Sequence, residues 1–254
     1  MTVRHLISAM FCAAMCIAAY VCQAQSTADF KAGQLSADRV VKAWAKYEEP
    51  LRTLFTAHQL KWPATDIYLR AFKLQNELEL WARDNATAEY KLVKTYRICA
   101  ISGALGPKRK QGDRQVPEGY YFIDEFNPNS DYHLSLHLTY PNYSDLLQGK
   151  SNPGGDIYIH GGCLTVGCLP MEDEGIREIY TLCLNTRLNG IQYVPVHIFP
   201  TRMSRGGMGH LQKEVAGNAA KQQFWNNLKT GYDHFEQYHK LQPVMYTPDG
   251  NYLN

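Results

Sequence analysis

Hydrophobic positions in the first part of the chain recur at helical spacing. After Asp38, a residue type that often caps helices, apolar side chains such as Val40 and Trp44 return every three to four positions. Pro50 interrupts this pattern, so we expect either two helices or one kinked helix. The pattern predicts a helical N-terminal segment over residues 25–63.

From residue 64 the hydrophobic period changes to two, which is typical of strands. Residues 66–73 and 77–83 alternate on either side of a polar Gln75-Asn76 turn, and this predicts a hairpin. Residues 64–200 are therefore expected to form a β-rich domain with a mostly antiparallel sheet and flanking helices, which is an α+β fold. Further short strands are expected at 90–101, 119–126, 132–140, 156–160 and 194–199.

Two later segments return to helical spacing. One begins near Glu172, where three acidic residues favour a helix N-terminus, and ends near residue 190. The other runs over about 218–239 with apolar residues on one face. Between them, 201–217 is rich in glycine and predicts a loop, either a mobile lid or a plain surface loop. Residues 201–254 are thus expected to form a loop and a C-terminal helical extension.

The N-terminus has the pattern of a secretory signal. Arg4 is followed by an apolar stretch from Leu6 to Cys22, and Ala24 offers a small residue for cleavage, so 1–24 is interpreted as a signal peptide. A retained membrane anchor is the alternative, because the stretch is close to the shortest that spans a bilayer. Membrane contact is expected only through this segment if it is uncleaved.

Charge and cysteine content narrow the function further. The net charge is +2 without a long run of like charges, which argues against a nucleic-acid surface.

Of the seven cysteines, three lie in the signal segment and four remain. Cys99 and Cys183 fall on apolar faces and are expected in the core. Cys163 is expected to pack in a turn, with a disulfide to Cys168 as a further hypothesis.

The chemistry is concentrated in residues 156–171. A strand is expected to deliver His160 to a glycine turn, and a second turn at Gly167 presents Cys168 shortly before a helix. An adjacent imidazole and a helix N-terminus lower the pKa of a thiol. The pattern therefore predicts Cys168 as nucleophile and His160 as its base, with the Gly161 carbonyl orienting the imidazole. Backbone N–H groups near Gly167 and Cys168 are expected to hold an oxyanion.

This segment resembles the catalytic motif of the L,D-transpeptidase (YkuD-type) family. His160-Gly161 matches the family's first element, and Thr165-Val166-Gly167-Cys168 resembles its Ser/Thr-His-Gly-Cys element. The short spacer and the valine in place of the second histidine fit the YafK-like branch, as do Cys163 and Met171. The upstream run 102–119 resembles the loops that frame the family's substrate cleft. The similarity extends over about 66–200.

The resemblance implies cysteine-dependent acyl transfer on peptidoglycan stem peptides. Cys168 would form a thioester at diaminopimelate and pass it to an amine, or to water if the protein resembles members that release wall-anchored proteins. It further implies an exported protein of the bacterial periplasm or cell envelope, acting in cell-wall biogenesis and cell shape without metal or cofactor. Candidates for substrate contact are Thr165, Arg109, Tyr140 and His137.

Three other interpretations stay open at this level. A papain-like or NlpC-type peptidase would use the later His197 as base, although in those enzymes the cysteine comes first. His160, Cys163 and Cys168 offer three zinc ligands, one fewer than a structural site needs. A non-catalytic wall-binding scaffold would leave Cys168 dispensable.

Overall fold

The structure is a computed structural model that describes residues 27–149, 152–215 and 217–253. The expected signal peptide, residues 1–24, lies outside the described residues. Within the described ranges, no helix combines the length and apolar character needed to cross a membrane.

The described residues form six helices and ten strands. Residues 27–35 are helical and are labelled α1. The other helices are α2 (Asp38–Ala57), α3 (Tyr143–Gln148), α4 (Glu172–Leu188), α5 (Arg205–Glu214) and α6 (Ala219–Tyr238). The strands are β1 (Asp66–Phe72), β2 (Glu77–Arg83), β3 (Lys91–Arg97), β4 (Gly119–Asn127), β5 (Ser135–Leu138), β6 (Tyr158–His160), β7 (Leu169–Pro170), β8 (Val194–Phe199), β9 (Met245–Tyr246) and β10 (Tyr252–Leu253).

Eight strands form one mixed sheet in the order β3-β2-β1-β8-β4-β5-β6-β7. The β1–β8 and β6–β7 pairs are parallel, and the other neighbouring pairs are antiparallel. Strands β9 and β10 form a separate antiparallel pair. The predicted α+β fold with a mostly antiparallel sheet is confirmed, including the hairpin of β1 and β2.

Strand β1 is covered on both faces, which places it at the centre of the core. Ile67 and Leu69 belong to the hydrophobic cluster that also contains apolar residues of α2 and α4. Tyr68 and Phe72 point to the opposite face, where their rings pack against Phe235 and Tyr232 of α6 at 4.9 and 6.3 Å. Because successive strand residues face opposite sides, one strand supports two helical layers.

Helix α2 is continuous and contains Pro50, so the expected break into two helices does not occur. The expected loop over 201–217 is also wrong, because this segment contains α5. Ser204 caps α5 by accepting a hydrogen bond from the Gly207 N–H, and Leu211 is buried beside α6. A cap and a buried apolar anchor together outweigh the roughly 1 kcal/mol that each helical glycine costs.

Two of the cysteine expectations are wrong. Cys163 forms a disulfide with Cys99, with 5.7 Å between their Cα atoms, rather than a turn-packing contact or a bond to Cys168. Cys99 is half-buried rather than a core residue, whereas Cys183 is buried as expected. The chain after β3 crosses to β7, where the Cys99 N–H donates to the Pro170 carbonyl at 3.0 Å. This crossing brings together two cysteines that are 64 positions apart in the sequence.

Candidate active site

His160 and Cys168 line the same cavity, which has a volume of about 640 Å³. His160 ends β6, and Cys168 immediately precedes β7. The parallel register pairs Ile159 with Leu169, which sets Cys168 beside Tyr158, two positions before His160 along β6. The remaining lining residues come from the β4–β5 loop, the start of β5, the segment leading into β6 and the β6–β7 turn. They are Asn127, Ser130, Asp131, Tyr132, Ser135, Asp156, Tyr158, Leu164, Thr165 and Val166.

The His160 imidazole is held as a neutral base. Its Nδ1 lies 2.6 Å from the Gly161 carbonyl oxygen, and because a carbonyl only accepts, Nδ1 carries the proton. The lone pair of Nε2 is therefore available to accept a proton. Burial lowers the pKa of His160, and the hydrogen bond to Gly161 opposes this shift. The Tyr132 ring packs on the imidazole with 4.7 Å between centroids.

Cys168 is a free, half-buried thiol. Its Sγ accepts a hydrogen bond from the Tyr158 N–H at 3.4 Å and donates to the Asp156 carbonyl at 3.6 Å. Burial raises the pKa of Cys168 above its ordinary value of 9.0, the Asp156 charge adds to this shift, and the Tyr158 N–H opposes it. The resting group is thus a thiol.

The expected lowering of the thiol pKa is therefore wrong. Helix α4 begins at Glu172, after the two residues of β7 and Met171, so the thiol does not sit in its first turn. The favourable field of a helix terminus falls off within about one turn. Desolvation of Cys168 is the larger influence.

The turn before Cys168 depends on Gly167 and Thr165. Gly167 has φ +145°, and a Cβ there would lie 3.3 Å from the Gln115 carbonyl oxygen, so a side chain would be strained and crowded. The Gly167 N–H donates to Thr165 Oγ1 at 3.2 Å, and Oγ1 donates to the Cys168 carbonyl at 2.8 Å. Thr165 lines the cavity, but both of its hydroxyl bonds hold the turn.

These bonds change the expected source of oxyanion stabilisation. The Gly167 N–H is already paired with Thr165, whereas the Cys168 N–H has no hydrogen-bond partner within the described part of the chain. The Cys168 N–H is consequently the available backbone donor beside the sulfur. Gly167 contributes the backbone conformation that the turn requires.

Two of the candidates for substrate contact lie outside the cavity. The Arg109 guanidinium pairs with Asp145, a buried carboxylate whose pKa is raised by desolvation to about 6. Tyr140 is buried, and its hydroxyl donates to the Pro153 carbonyl at 3.0 Å. Both side chains are used in holding the loops around α3, and neither lines the Cys168 cavity.

His137 reaches the cavity only indirectly. Its Nδ1 lies 2.7 Å from an Asp124 carboxylate oxygen, and its ring centroid lies 5.1 Å from that of Tyr158, which does line the cavity. His137 is therefore a neighbour of a lining residue. Direct contact between His137 and a substrate is not supported by this placement.

The geometry argues against two alternatives from the sequence, a peptidase with His197 as its base and a zinc site. His197 lies in β8 with its Nδ1 3.0 Å from the Tyr68 hydroxyl, and it does not line the Cys168 cavity. Cys163 is bonded to Cys99, so the alternative zinc trio with His160 and Cys168 does not assemble. Among the described residues, the one group spaced like metal ligands is Cys99, Cys163 and Glu172, and its two sulfur atoms are joined to each other.

Three side chains that shape the cavity are not predicted by the sequence pattern. Asp131 and Tyr132 come from the β4–β5 loop, and Asp156 precedes β6. Antiparallel pairing sets Ser135 of β5 opposite His160, and this brings the loop before Ser135 to the imidazole. Only strand pairing reveals this neighbourhood, since nothing in the local sequence of the loop indicates it.

Comparison with known proteins identifies the family. Residues 73–198, which contain both His160 and Cys168, match the family model "YkuD: L,D-transpeptidase catalytic domain". A protein of Escherichia coli strain K12 named "Putative L,D-transpeptidase YafK" is 34% identical over 189 residues, which cover 74% of this chain and 73% of that protein. The chain belongs to the YkuD L,D-transpeptidase family. The protein of the same name in Escherichia coli O157:H7 matches to the same extent.

Solved structures show a weaker likeness. The helical cell shape determining protein Pgp2 of Campylobacter jejuni is 21% identical with a TM-score of 0.42, covering 59% of this chain and 55% of Pgp2. Bd1075 of Bdellovibrio bacteriovorus is 18% identical with a TM-score of 0.40, covering 68% of this chain and 63% of Bd1075. The chain spans less than two thirds of either protein, and the function proposed below draws on neither.

Proposed function

We propose that this member of the L,D-transpeptidase family is an exported bacterial cysteine acyltransferase that acts on peptidoglycan stem peptides. One observation carries the proposal. A free thiol, Cys168, shares a cavity with His160, whose Nδ1 is fixed as a donor and whose Nε2 is open to accept a proton. Export is inferred from residues 1–24, and the substrate class from the family.

The reaction needs only these two side chains and one backbone group. His160 Nε2 takes the thiol proton while Cys168 Sγ attacks the carbonyl carbon at the L-centre of diaminopimelate. The Cys168 N–H holds the developing oxyanion, an interaction of a kind worth roughly 2.7–4 kcal/mol in other acyl-transfer enzymes. The imidazolium then protonates the departing D-alanine amine, and a thioester remains on Cys168.

The second half of the reaction reverses these proton transfers. The amine of a second stem peptide attacks the thioester carbonyl, and His160 Nε2 takes a proton from that amine. The sulfur leaves and is reprotonated, which restores Cys168 and yields a 3→3 crosslink. General acid–base assistance of this type contributes about 10²–10⁴-fold to the rate.

The charge of the cavity favours an amine over water as the acyl acceptor. Asp131 and Asp156 line it, and no lysine or arginine of the described residues does so. The two carboxylates give the cavity a negative charge that concentrates an ammonium-bearing peptide near the thioester. The lining therefore supports transfer to diaminopimelate rather than hydrolysis.

The test uses defined tetrapeptide-containing muropeptides and mass spectrometry of the products. Wild type should form 3→3 dimers, and Cys168→Ala should form none. Cys183→Ala, which removes the other free thiol of the described residues at a buried site, should keep its activity as the matched control. Cleavage without dimers, lost in Cys168→Ala, would indicate a hydrolase instead. Equal behaviour of wild type and Cys168→Ala would refute the nucleophile and favour a scaffold.

A further inference from the structure

A cation-rich cleft lies beside the active-site region, between α2, α4 and the β4–β5 loop. Its volume is about 480 Å³. Four of its lining side chains are cationic at neutral pH, and one is a carboxylate. The lining residues are Asp38, Arg39, Lys42, Lys46, His133 and Arg177.

Three of these cations already have acidic partners. Lys42 pairs with Asp38 at 3.3 Å, and Lys46 and Arg177 share Glu174. Arg39, by contrast, has no carboxylate within 4.0 Å among the described residues. The cleft thus has more positive than negative charge, and the excess centres on Arg39.

The Arg39 guanidinium is held in place while one edge stays free. Its Nη1 donates to the carbonyls of Ser130, at 2.7 Å, and His133. Its Nε and Nη2 have no hydrogen-bond partner in the part of the chain that the structure describes. A guanidinium anchored through Nη1, with the edge formed by Nε and Nη2 free, is prepared for bidentate binding of a planar anion.

His133 connects Arg39 to Arg177. The Arg177 Nε donates to His133 Nε2 at 2.8 Å, so that nitrogen is an acceptor and the imidazole is neutral. Burial lowers the pKa of His133, and the positive charge of Arg177 lowers it further. The two guanidinium groups therefore flank one neutral ring.

An intermediate cavity shares lining residues with both the cleft and the cysteine cavity. Its volume is about 520 Å³, and it is lined by Arg39 and His133, which also line the cleft, and by Ser130, Asp131 and Tyr132. Those last three residues also line the cavity that contains Cys168. Asp173 lines the intermediate cavity too, but its carboxylate is bound to the Gly162 N–H at 3.0 Å.

We propose that Arg39, supported by Arg177, forms a carboxylate subsite for the stem peptide whose carbonyl is attacked by Cys168. The inference rests on the proposed function. Stem peptides carry carboxylates outside the reacting centre as well as the amine of diaminopimelate. Acidic residues line the cysteine cavity, and cationic residues line the cleft next to it. This order of charge suits a peptide that has an amine close to the scissile carbonyl and a carboxylate further along.

Calorimetric binding of a free tetrapeptide to the Cys168→Ala protein tests the subsite without turnover. Arg39→Gln should weaken binding about tenfold, the usual scale for one charge-assisted hydrogen-bond pair. Arg52→Gln is the matched control, because Arg52 lies on the same helix and pairs with Glu48 and Glu49 at the surface. A peptide whose D-glutamate carboxylate is amidated should bind weakly to the parent and lose nothing further with Arg39→Gln. An unchanged affinity, or an equal loss with the amidated peptide, would overturn the subsite.

A second measurement separates this inference from the proposed function and needs no substitution at Arg39. Glutarate is titrated into the Cys168→Ala protein while the arginine Nε–H signals are followed by NMR. A saturable shift at Arg39 with none at Arg52 supports the subsite even if muropeptides are not processed. No shift at Arg39 overturns it even if crosslinking is observed. An equal response to inorganic phosphate overturns the assignment to carboxylates.

Discussion

Replacing Glu118 by glutamine should lower the free energy of unfolding by about 3–5 kcal/mol, the range for breaking a buried ion pair on one side. Lys73 and Glu118 have fully buried side chains and pair at 2.9 Å. The Lys73 ammonium also donates to the carbonyls of Ala104, Gly106 and Val116. Without the Glu118 carboxylate, only the carbonyl dipoles would stabilise the buried positive charge of Lys73.

The same carboxylate joins three parts of the fold. Glu118 accepts hydrogen bonds from the Gly106 N–H at 2.6 Å and from the Trp225 indole of α6 at 2.7 Å. The loop that it organises ends against the active site, where the Gln115 carbonyl lies beside Gly167. A loosened loop would free the turn that carries Cys168, so activity should fall together with stability.

Urea denaturation followed by tryptophan fluorescence measures this effect. Asp233→Asn is the control, since it breaks an exposed pair with Lys229 on α6 and should cost about 0.3–0.5 kcal/mol. The double variant Lys73→Met/Glu118→Gln removes both charges and should recover at least half of the loss. A loss below about 1 kcal/mol for Glu118→Gln, or no recovery in the double variant, would refute the reasoning.

Three further predictions concern the surroundings of the sulfur. Because burial raises the pKa of Cys168, its alkylation by iodoacetamide should accelerate with pH throughout about pH 7–9, and a plateau already at pH 7 would contradict the neutral thiol. Cys99→Ser/Cys163→Ser should lower the free energy of unfolding by about 2–5 kcal/mol. Non-reducing peptide mapping of wild type should show a Cys99–Cys163 link, and a Cys163–Cys168 link would contradict the fold. Gly167→Ala should cost about 1–3 kcal/mol of stability and most of the activity, whereas Gly209→Ala, with open space around it, should cost neither.

Much of the fold follows from local sequence patterns. The β1–β2 hairpin, α4 and α6 are long or strongly periodic, and their positions are confirmed within a few residues. Helix α5 was missed because glycine content argued against a helix, while the Ser204 cap and the buried Leu211 decided in its favour. Local propensity is a weak guide where tertiary packing supplies the stability.

Only part of the candidate site could be predicted from the sequence. The local sequence pattern predicts Cys168 and His160 as the reactive pair, and the structure places both in one cavity. The pKa of the thiol was predicted in the wrong direction because its burial depends on neighbours from other strands. The Cys99–Cys163 bond joins segments that only the crossing after β3 brings together.

The most direct test of the account is the intact mass of the protein, quenched in acid shortly after mixing with a tetrapeptide. The account predicts a covalent adduct equal to the peptide without its terminal D-alanine, located at Cys168 by peptide mapping. His160→Asn should slow its formation by about 10²–10⁴-fold, the contribution of a general base. An unmodified protein during active turnover, or an adduct at any other residue, would contradict the claim that Cys168 is the nucleophile.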